Sequence, residues 1–281
     1  MDSLNAYRSQ GDQPITRQSV CGYLDVLGFT AAVRDAERSG RSNDLLKKFA
    51  FLVRNWFSSL GDIIAIESRE PRRKEYKIFT DNVIVGEPIE VGSGAELAYT
   101  ISDLALLQVG LMVDGFFVRG GVSVGNLYMD EDILYGSAAL DAHDAEQLAK
   151  SPRIVLHATA TSVVREHVAH YMQTYGESRG HRFTDAVLVD EDGLWFVNYL
   201  AQIFDRGMFD PDYETLQTHA VVVQQRLREH EHDEHIRAKY VWAARYHNYF
   251  CTTILDGEEY ALDVGLPVLG ASAIEDVIRQ S

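Results

Sequence analysis

An α+β fold is predicted, an antiparallel or mixed sheet with covering helices and a C-terminal helical appendage, on three observations. Short runs of strand-forming residues alternate with helical stripes of apolar residues, and glycines separate them, through about residue 160. Their order is strand, helix, hairpin, helix, strand, helix, strand, which suits helices packed on one face of a sheet. Beyond them the chain changes to two successive helical stripes with no Pro/Gly-rich linker before them.

Residues 1–18 are polar and contain Gly11 and Pro14, so they are expected to form a mobile lead-in. Val20 to Leu27 is an apolar strand that ends at Gly28 and is interrupted only by Asp25. Leu45, Phe49, Leu52 and Trp56 predict a helix that breaks at Gly61. Asp62–Ser68 and Tyr76–Val85 read as two strands of a hairpin joined by the charged, proline-containing residues 69–74. Ser93 with Glu96 three residues later forms a capping-box pattern, and Leu97, Ile101, Leu104 and Leu111 continue the helix to about Val113. Phe116–Val124 is a strand containing Gly120 and Gly121, Ala138–Ala149 a helix, and Arg153–Leu156 a strand. Asp210-Pro211 suits a helix start, with the stripe Leu216, Ala220, Val223 and Leu227 behind it, and Ile236, Tyr240, Ala243 and Phe250 mark a second helix. The expected organisation is a lead-in over 1–18, a catalytic core over 19–205, and a helical appendage packed on that core over 206–281.

The 281 residues are 46% hydrophobic and 24% charged, a globular composition that excludes a disordered tail, a collagen-like rod or a disulfide-stapled miniature. Lys and Arg total 26 against 42 Asp and Glu, so the net charge is −16. A field of that sign repels nucleic acid and anionic lipid, although a small nucleotide can bind where metal ions and a local basic cluster supply positive charge. Cys21 and Cys251 fall in apolar segments and read as reduced core thiols. No apolar leader and no run of about 18 apolar residues is present, so a cytoplasmic protein without a membrane partner is expected.

Two carboxylates interrupt otherwise apolar strands. Asp25 is one; Asp81 is the other, in Lys77-Ile78-Phe79-Thr80-Asp81, where strand alternation puts Lys77, Phe79 and Asp81 on one face. An unpaired carboxylate in such a place is costly, so each acid needs a partner. Two strand acids meeting at a sheet end suit a hard divalent cation, and a buried salt bridge to Lys or Arg for each acid is the alternative. The turn Gly28-Phe29-Thr30 offers backbone N–H groups at a helix start, a cradle for phosphate oxygens.

The blocks Tyr23-Leu24-Asp25-Val26-Leu27-Gly28-Phe29-Thr30, Phe79-Thr80-Asp81-Asn82, Val118-Arg119-Gly120-Gly121-Val122-Ser123-Val124-Gly125 and Leu134-Tyr135-Gly136-Ser137-Ala138, in this order and spacing, resemble class III nucleotidyl cyclases over about residues 20–160. Within that group the chain is most similar to the pyrimidine cyclases of Pycsar anti-phage defence, a likeness that extends to Lys239-Tyr240-Val241-Trp242 and Tyr246-His247-Asn248. The resemblance implies a class III-like fold and conversion of a pyrimidine nucleoside triphosphate, UTP more than CTP, to a 3′,5′-cyclic monophosphate and pyrophosphate. It implies two Mg²⁺ or Mn²⁺ ions held by Asp25, Asp81 and the Val26 carbonyl, with Gly28, Phe29 and Thr30 along the triphosphate. Lys77 matches the base-reading lysine. It further implies a homodimer with shared sites and a product read as an antiviral second messenger by a separate effector protein. A catalytically silent module that dimerises or senses a nucleotide is the alternative.

Departures from the wider class bear on that choice. The Asn and Arg that reach the ribose and transition state in cyclic-AMP-forming relatives fall at Leu140 and Asp144, and the adenine-reading acid falls at Ile133, beside Asp132. Arg119 is the candidate replacement cation, on the partner-facing side of a shared site, or else a structural partner for Asp25 or Asp81. His143 is a candidate ribose or phosphate contact. Arg72, Arg73 and Lys74 read as a solvated loop that could approach the triphosphate, and His230, His232 and His235 as a solvated face rather than a metal site.

Overall fold

The computed structural model describes residues 5–9, 11–67, 74–90, 92–176, 181–204 and 211–280. Strand β1 (Arg17–Val26) leads into helices α1 (Phe29–Arg38) and α2 (Ser42–Glu67), followed by strands β2 (Glu75–Phe79) and β3 (Asn82–Pro88) and helix α3 (Ser93–Val113). Strands β4 (Val118–Met129) and β5 (Leu134–Tyr135), helix α4 (Ser137–Leu148), strand β6 (Ile154–Leu156), helix α5 (Ala158–Tyr175) and strands β7 (Val187–Val189) and β8 (Trp195–Val197) come next. Helices α6 (Tyr213–Glu229) and α7 (Glu234–Tyr249), strand β9 (Ser272–Ala273) and helix α8 (Ile274–Arg279) complete the chain.

The sheet is mixed, as expected for this α+β class, and runs β2-β3-β1-β4-β6-β8-β7-β9, with β5 paired to the end of β4. Central β1 is antiparallel to both neighbours, β6 joins β4 in parallel, and the remaining pairs are antiparallel. Val20, Leu24, Val83, Val85, Val122 and Val124 on one face share a core with α3. Cys21, Ile84 and Leu127 on the other face pack against Ala138, Ala139 and Ala142 of α4. Helices therefore cover both faces, not one. Glycine makes this possible: a Cβ on Gly121 would overlap the Ala142 carbonyl, and one on Gly125 would lie 2.9 Å from Ser137 Oγ.

Several local expectations change. α2 continues through Gly61 to Glu67, so the predicted strand over Asp62–Ser68 is helical as far as Glu67. A single glycine costs a helix only about 1 kcal/mol, and a short apolar run does not distinguish helix from strand. Tyr76–Val85 is not one strand but the hairpin itself, turned at Thr80-Asp81 with Thr80 at φ 56°. Threonine seldom adopts that left-handed conformation, so the turn carries little sequence signal. Residues 68–73 lie outside the described residues. Gly92 rather than Ser93 is the N-cap of α3, and Glu96 Oε1 instead accepts from the Glu90 amide at 2.9 Å. Asp210, the expected cap of α6, lies outside the described residues, and Asp212 caps the helix by accepting from the Thr215 amide at 3.0 Å.

The lead-in is packed at Ala6 and Tyr7. Tyr7 is fully buried, its hydroxyl is 3.2 Å from Ser19 Oγ, and the Ala6 amide donates to Glu75 Oε1 at 2.9 Å. Its polar composition concealed this single buried aromatic anchor. In the C-terminal third, α6 and α7 bury Leu216, Val223, Tyr240 and Tyr246 in the same core as the sheet, and β9 extends the sheet beside β7. Cys21 and Cys251 are buried and unbridged. Among the described residues one helical stretch, Gly94–Val113 in α3, is long and apolar enough to cross a membrane, and two-thirds of it is buried within the protein.

Candidate active site

Antiparallel pairing sets the site. Tyr23 pairs with Ile84 on one side and Gly121 on the other, and Asp25 pairs with Asn82 and Arg119. Paired residues project to the same face of an antiparallel sheet, so Tyr23, Asp25, Asn82, Ile84 and Arg119 all lie on the α4 face. Lys77 pairs with Ile84 and joins that face from β2. Two strands across and two residues along put the Cα atoms of Lys77 and Asp25 about 12 Å apart. Asp81 leaves the expected alternation because the chain turns at Thr80.

The hairpin turn is tied to β1. The Val26 amide donates to the Asp81 carbonyl at 3.0 Å, which holds Asp81 at the end of β1 beside Asp25. The Asp81 carboxylate accepts from the Thr80 hydroxyl at 2.7 Å and from Asn82 Nδ2 at 3.2 Å. Asp25 is held differently: its Oδ2 accepts from Arg119 Nε at 2.9 Å. The same Nε lies 2.7 Å from Glu146 Oε1 on α4. Arg119 thus faces two carboxylates of its own chain, which makes it an ion-pair partner of Asp25 within the chain. Salt-bridge formation, the alternative for each acid, is realised for Asp25.

Beyond Val26, Gly28 takes a left-handed conformation (φ 76°) and caps α1 without any side-chain hydrogen bond. Glycine tolerates that conformation at no steric cost. The first turn of α1 contains no acidic residue, so no side chain of that turn offsets the positive end of the helix. Phe29 anchors the turn by packing on Phe49 with ring centroids 4.7 Å apart, while Gly28 and Thr30 are exposed. His143 on α4 meets Tyr23 edge-on at 5.2 Å and lies 3.8 Å from Asp144.

Tyr23 feels the charge of these acids. Its phenol is pushed above its ordinary range by burial first, then by the charges of Glu146, Asp25 and Asp81. Burial also raises the Glu146 carboxyl, and Arg119 opposes that rise. Asp25, Asp81, Arg119 and the turn Gly28-Phe29-Thr30 thus follow one end of β1, His143 packs on Tyr23 two residues back, and Lys77 stands two strands away on the same face. Leu140 on α4 is 69% exposed and Asp144 also faces outward, and neither side chain has the donors of the missing Asn and Arg.

Glu146 is the residue that sequence reading missed. Its signal was a carboxylate among the buried small residues Ala142, Ala145 and Ala149. Other candidates fall away. Lys74 is neither solvated nor aimed at a phosphate, since it is buried against Asp103 and, at 3.2 Å, Glu87; Arg72 and Arg73 lie outside the described residues. His230 ends α6 and stacks on Tyr240, and His232 is exposed beside Glu231. No group of three or more metal-ligating side chains exists among the described residues.

No protein-family profile and no curated protein matches the chain. Solved structures do. A class III adenylyl cyclase-like ATP-binding protein from Pseudomonas aeruginosa is 12% identical over 53% of this chain, with a TM-score of 0.38. This chain spans only 35% of that protein's length. The monomeric guanylyl cyclase domain of a RhoGC fusion protein from Blastocladiella emersonii is 13% identical, covering 65% of this chain and 96% of that one, with a TM-score of 0.43. The guanylate cyclase domain of RhGC from Catenaria anguillulae, solved with GTP, is 12% identical over 65% of this chain and 97% of its own, with a TM-score of 0.41.

Proposed function

We propose that the protein is a metal-dependent nucleotidyl cyclase that turns a pyrimidine nucleoside triphosphate, UTP in preference to CTP, into its 3′,5′-cyclic monophosphate and pyrophosphate. The observation that carries this reading is the Val26–Asp81 main-chain bond, which brings two carboxylates to one strand end beside the open N-terminus of α1. The donors are hard oxygens and fit Mg²⁺ or Mn²⁺, with Asp25, Asp81 and the Val26 carbonyl as ligands. Such cations lower the pKa of the ribose 3′-hydroxyl and neutralise the departing pyrophosphate. The amides of residues 28–30 orient the triphosphate, Lys77 donates to a base carbonyl, and His143 contacts the ribose or a phosphate. The ribose 3′-hydroxyl gives its proton to solvent water, its oxygen bonds to the α-phosphorus, and the bond from that phosphorus to the pyrophosphate oxygen breaks. A homodimer with shared sites, and a separate effector that reads the product in antiviral defence, belong to the same reading.

A second reading is favoured by Arg119. Its hydrogen bond to Asp25, together with outward-facing Leu140 and Asp144, suits a module that binds nucleotide without turning it over. Incubating the protein with each of the four ribonucleoside triphosphates and Mn²⁺ or Mg²⁺, then weighing the products by mass spectrometry, decides between them. Cyclic UMP in excess over cyclic CMP is expected. Nucleotide binding with no cyclic product establishes the silent module, and cyclic AMP or GMP as the main product overturns the pyrimidine assignment.

A further inference from the structure

We propose that Glu146 is a positioning residue that allows Arg119 to release Asp25 when a divalent cation binds there; this rests on the cation-binding role assigned to Asp25 above. The geometry is a competition between two acceptors for one donor. Arg119 Nε carries a single proton, and that proton points at Asp25 Oδ2 across 2.9 Å. Glu146 Oε1 lies closer to the same nitrogen, at 2.7 Å, yet it receives no directed hydrogen bond, whereas its Oε2 accepts from Gln147 Nε2 at 2.5 Å. A buried carboxylate oxygen left without a hydrogen bond is costly.

The two acceptors differ in access. The Asp25 side chain is 19% exposed and that of Glu146 only 2%, so a cation arriving from solvent reaches Asp25 and not Glu146. When Asp25 is taken, a small rotation of Arg119 turns Nε–H onto Glu146 Oε1. The guanidinium keeps a counter-charge, and the buried oxygen gains the hydrogen bond it lacks. Cation binding therefore does not strand a positive charge in the site. With Glu146 neutralised, Asp25 is the one carboxylate left to Arg119, and an incoming cation must displace the guanidinium without compensation.

Mn²⁺ alone is the probe, titrated into the full chain and read by electron paramagnetic resonance without nucleotide. Glu146→Gln should raise the Mn²⁺ dissociation constant on the order of tenfold, the scale of one charge-assisted hydrogen bond. In an Arg119→Met background the same change should alter it by no more than about twofold, because no competitor remains. Equal weakening in both backgrounds means that Glu146 acts only as a distant charge, and no weakening in either means that it acts only in packing; both results overturn the proposal. Asp25→Asn separates the two levels: if it leaves Mn²⁺ binding unchanged, the cation reading itself fails. A measurement on the unaltered chain guards against misfolded variants. Mg²⁺ should shift the Arg119 Nε–H resonance in an arginine-selective ¹H–¹⁵N spectrum, and an unmoved resonance at saturating Mg²⁺ refutes the release of Asp25.

Discussion

Acid should unfold this protein by charging two histidines that the fold keeps neutral. His219 on α6 and His247 on α7 are both 0% exposed, and their rings stack with centroids 5.1 Å apart. His247 Nε2 is 2.9 Å from the Tyr260 carbonyl, an acceptor only, so that nitrogen carries the proton. Its Nδ1 is then bare and accepts from His219 Nδ1 at 3.0 Å. His219 Nε2 is bare in turn and accepts from the Tyr199 hydroxyl at 2.8 Å. Every polar atom of the two rings is satisfied with both neutral. A proton added to His247 would turn its Nδ1 from acceptor to donor and force the hydrogen bonds of His219 and Tyr199 to reverse. Burial holds His219 well below the ordinary histidine range, aided by His247, and burial lowers His247 against a smaller opposing pull from the Tyr260 carbonyl. The unfolded chain takes up these protons near pH 6.5 and the folded chain does not, so this stability is complete above about pH 6.5 and is lost as pH falls. If both rings stay neutral to pH 5, the loss is about 2 kcal/mol for each, about 4 kcal/mol together, against a typical total of about 5–15 kcal/mol. His181, also lowered by burial, adds to the loss, while Glu75 and Glu146, raised by burial, offset part of it near pH 5. Urea midpoints between pH 8 and pH 5 measure the slope. The His219→Gln, His247→Gln double variant keeps polar partners but cannot titrate, so most of the slope should vanish. If the double variant keeps the wild-type slope, the neutral-pair argument is refuted.

Asp25→Asn and Asp81→Asn should each abolish cyclisation while lowering the melting temperature only slightly, since Arg119 retains Glu146 and the Asp81 turn retains its main-chain bond to Val26; calorimetry beside a product assay checks both. A large loss of melting temperature in Asp25→Asn would instead assign that residue a purely structural role. Lys77→Ala should weaken use of UTP and CTP by a similar factor, on the order of 10–100-fold for a lost charge-assisted hydrogen bond, and leave Mn²⁺ binding intact. Full activity with UTP in that variant would remove Lys77 from the base pocket. Gly121→Ala should destabilise the fold by about 1–3 kcal/mol or more in urea titration, because its methyl meets the backbone of α4 rather than a flexible side chain. A neutral result would mean that α4 can move away from β4.

The α+β class, the central strand, α3, α4 and the acids at 25 and 81 were legible in the sequence because each is a local signal. Strand formers and helical stripes report burial through near-neighbour spacing, and a carboxylate inside an apolar strand stands out against that pattern. The turn at Thr80-Asp81 was not legible, since a non-glycine residue with positive φ leaves no compositional trace, and neither was the continuation of α2 through Gly61. Tyr7 looked like part of a polar leader until Ser19 and Glu75 were placed around it. The same limit holds at the site. Sequence named Asp25, Arg119 and His143, but their order says nothing of the register that sets Arg119 opposite Asp25, or of the two glycines on β4 that let α4 descend and bring Glu146 to the same guanidinium. Local propensity and patterning decide which segments are strands and helices. Which charges share a proton is decided only when strand register and close backbone approach bring together residues 94 positions apart, as with Asp25 and Arg119, because Coulomb and hydrogen-bond energies depend on distance in space and not along the chain.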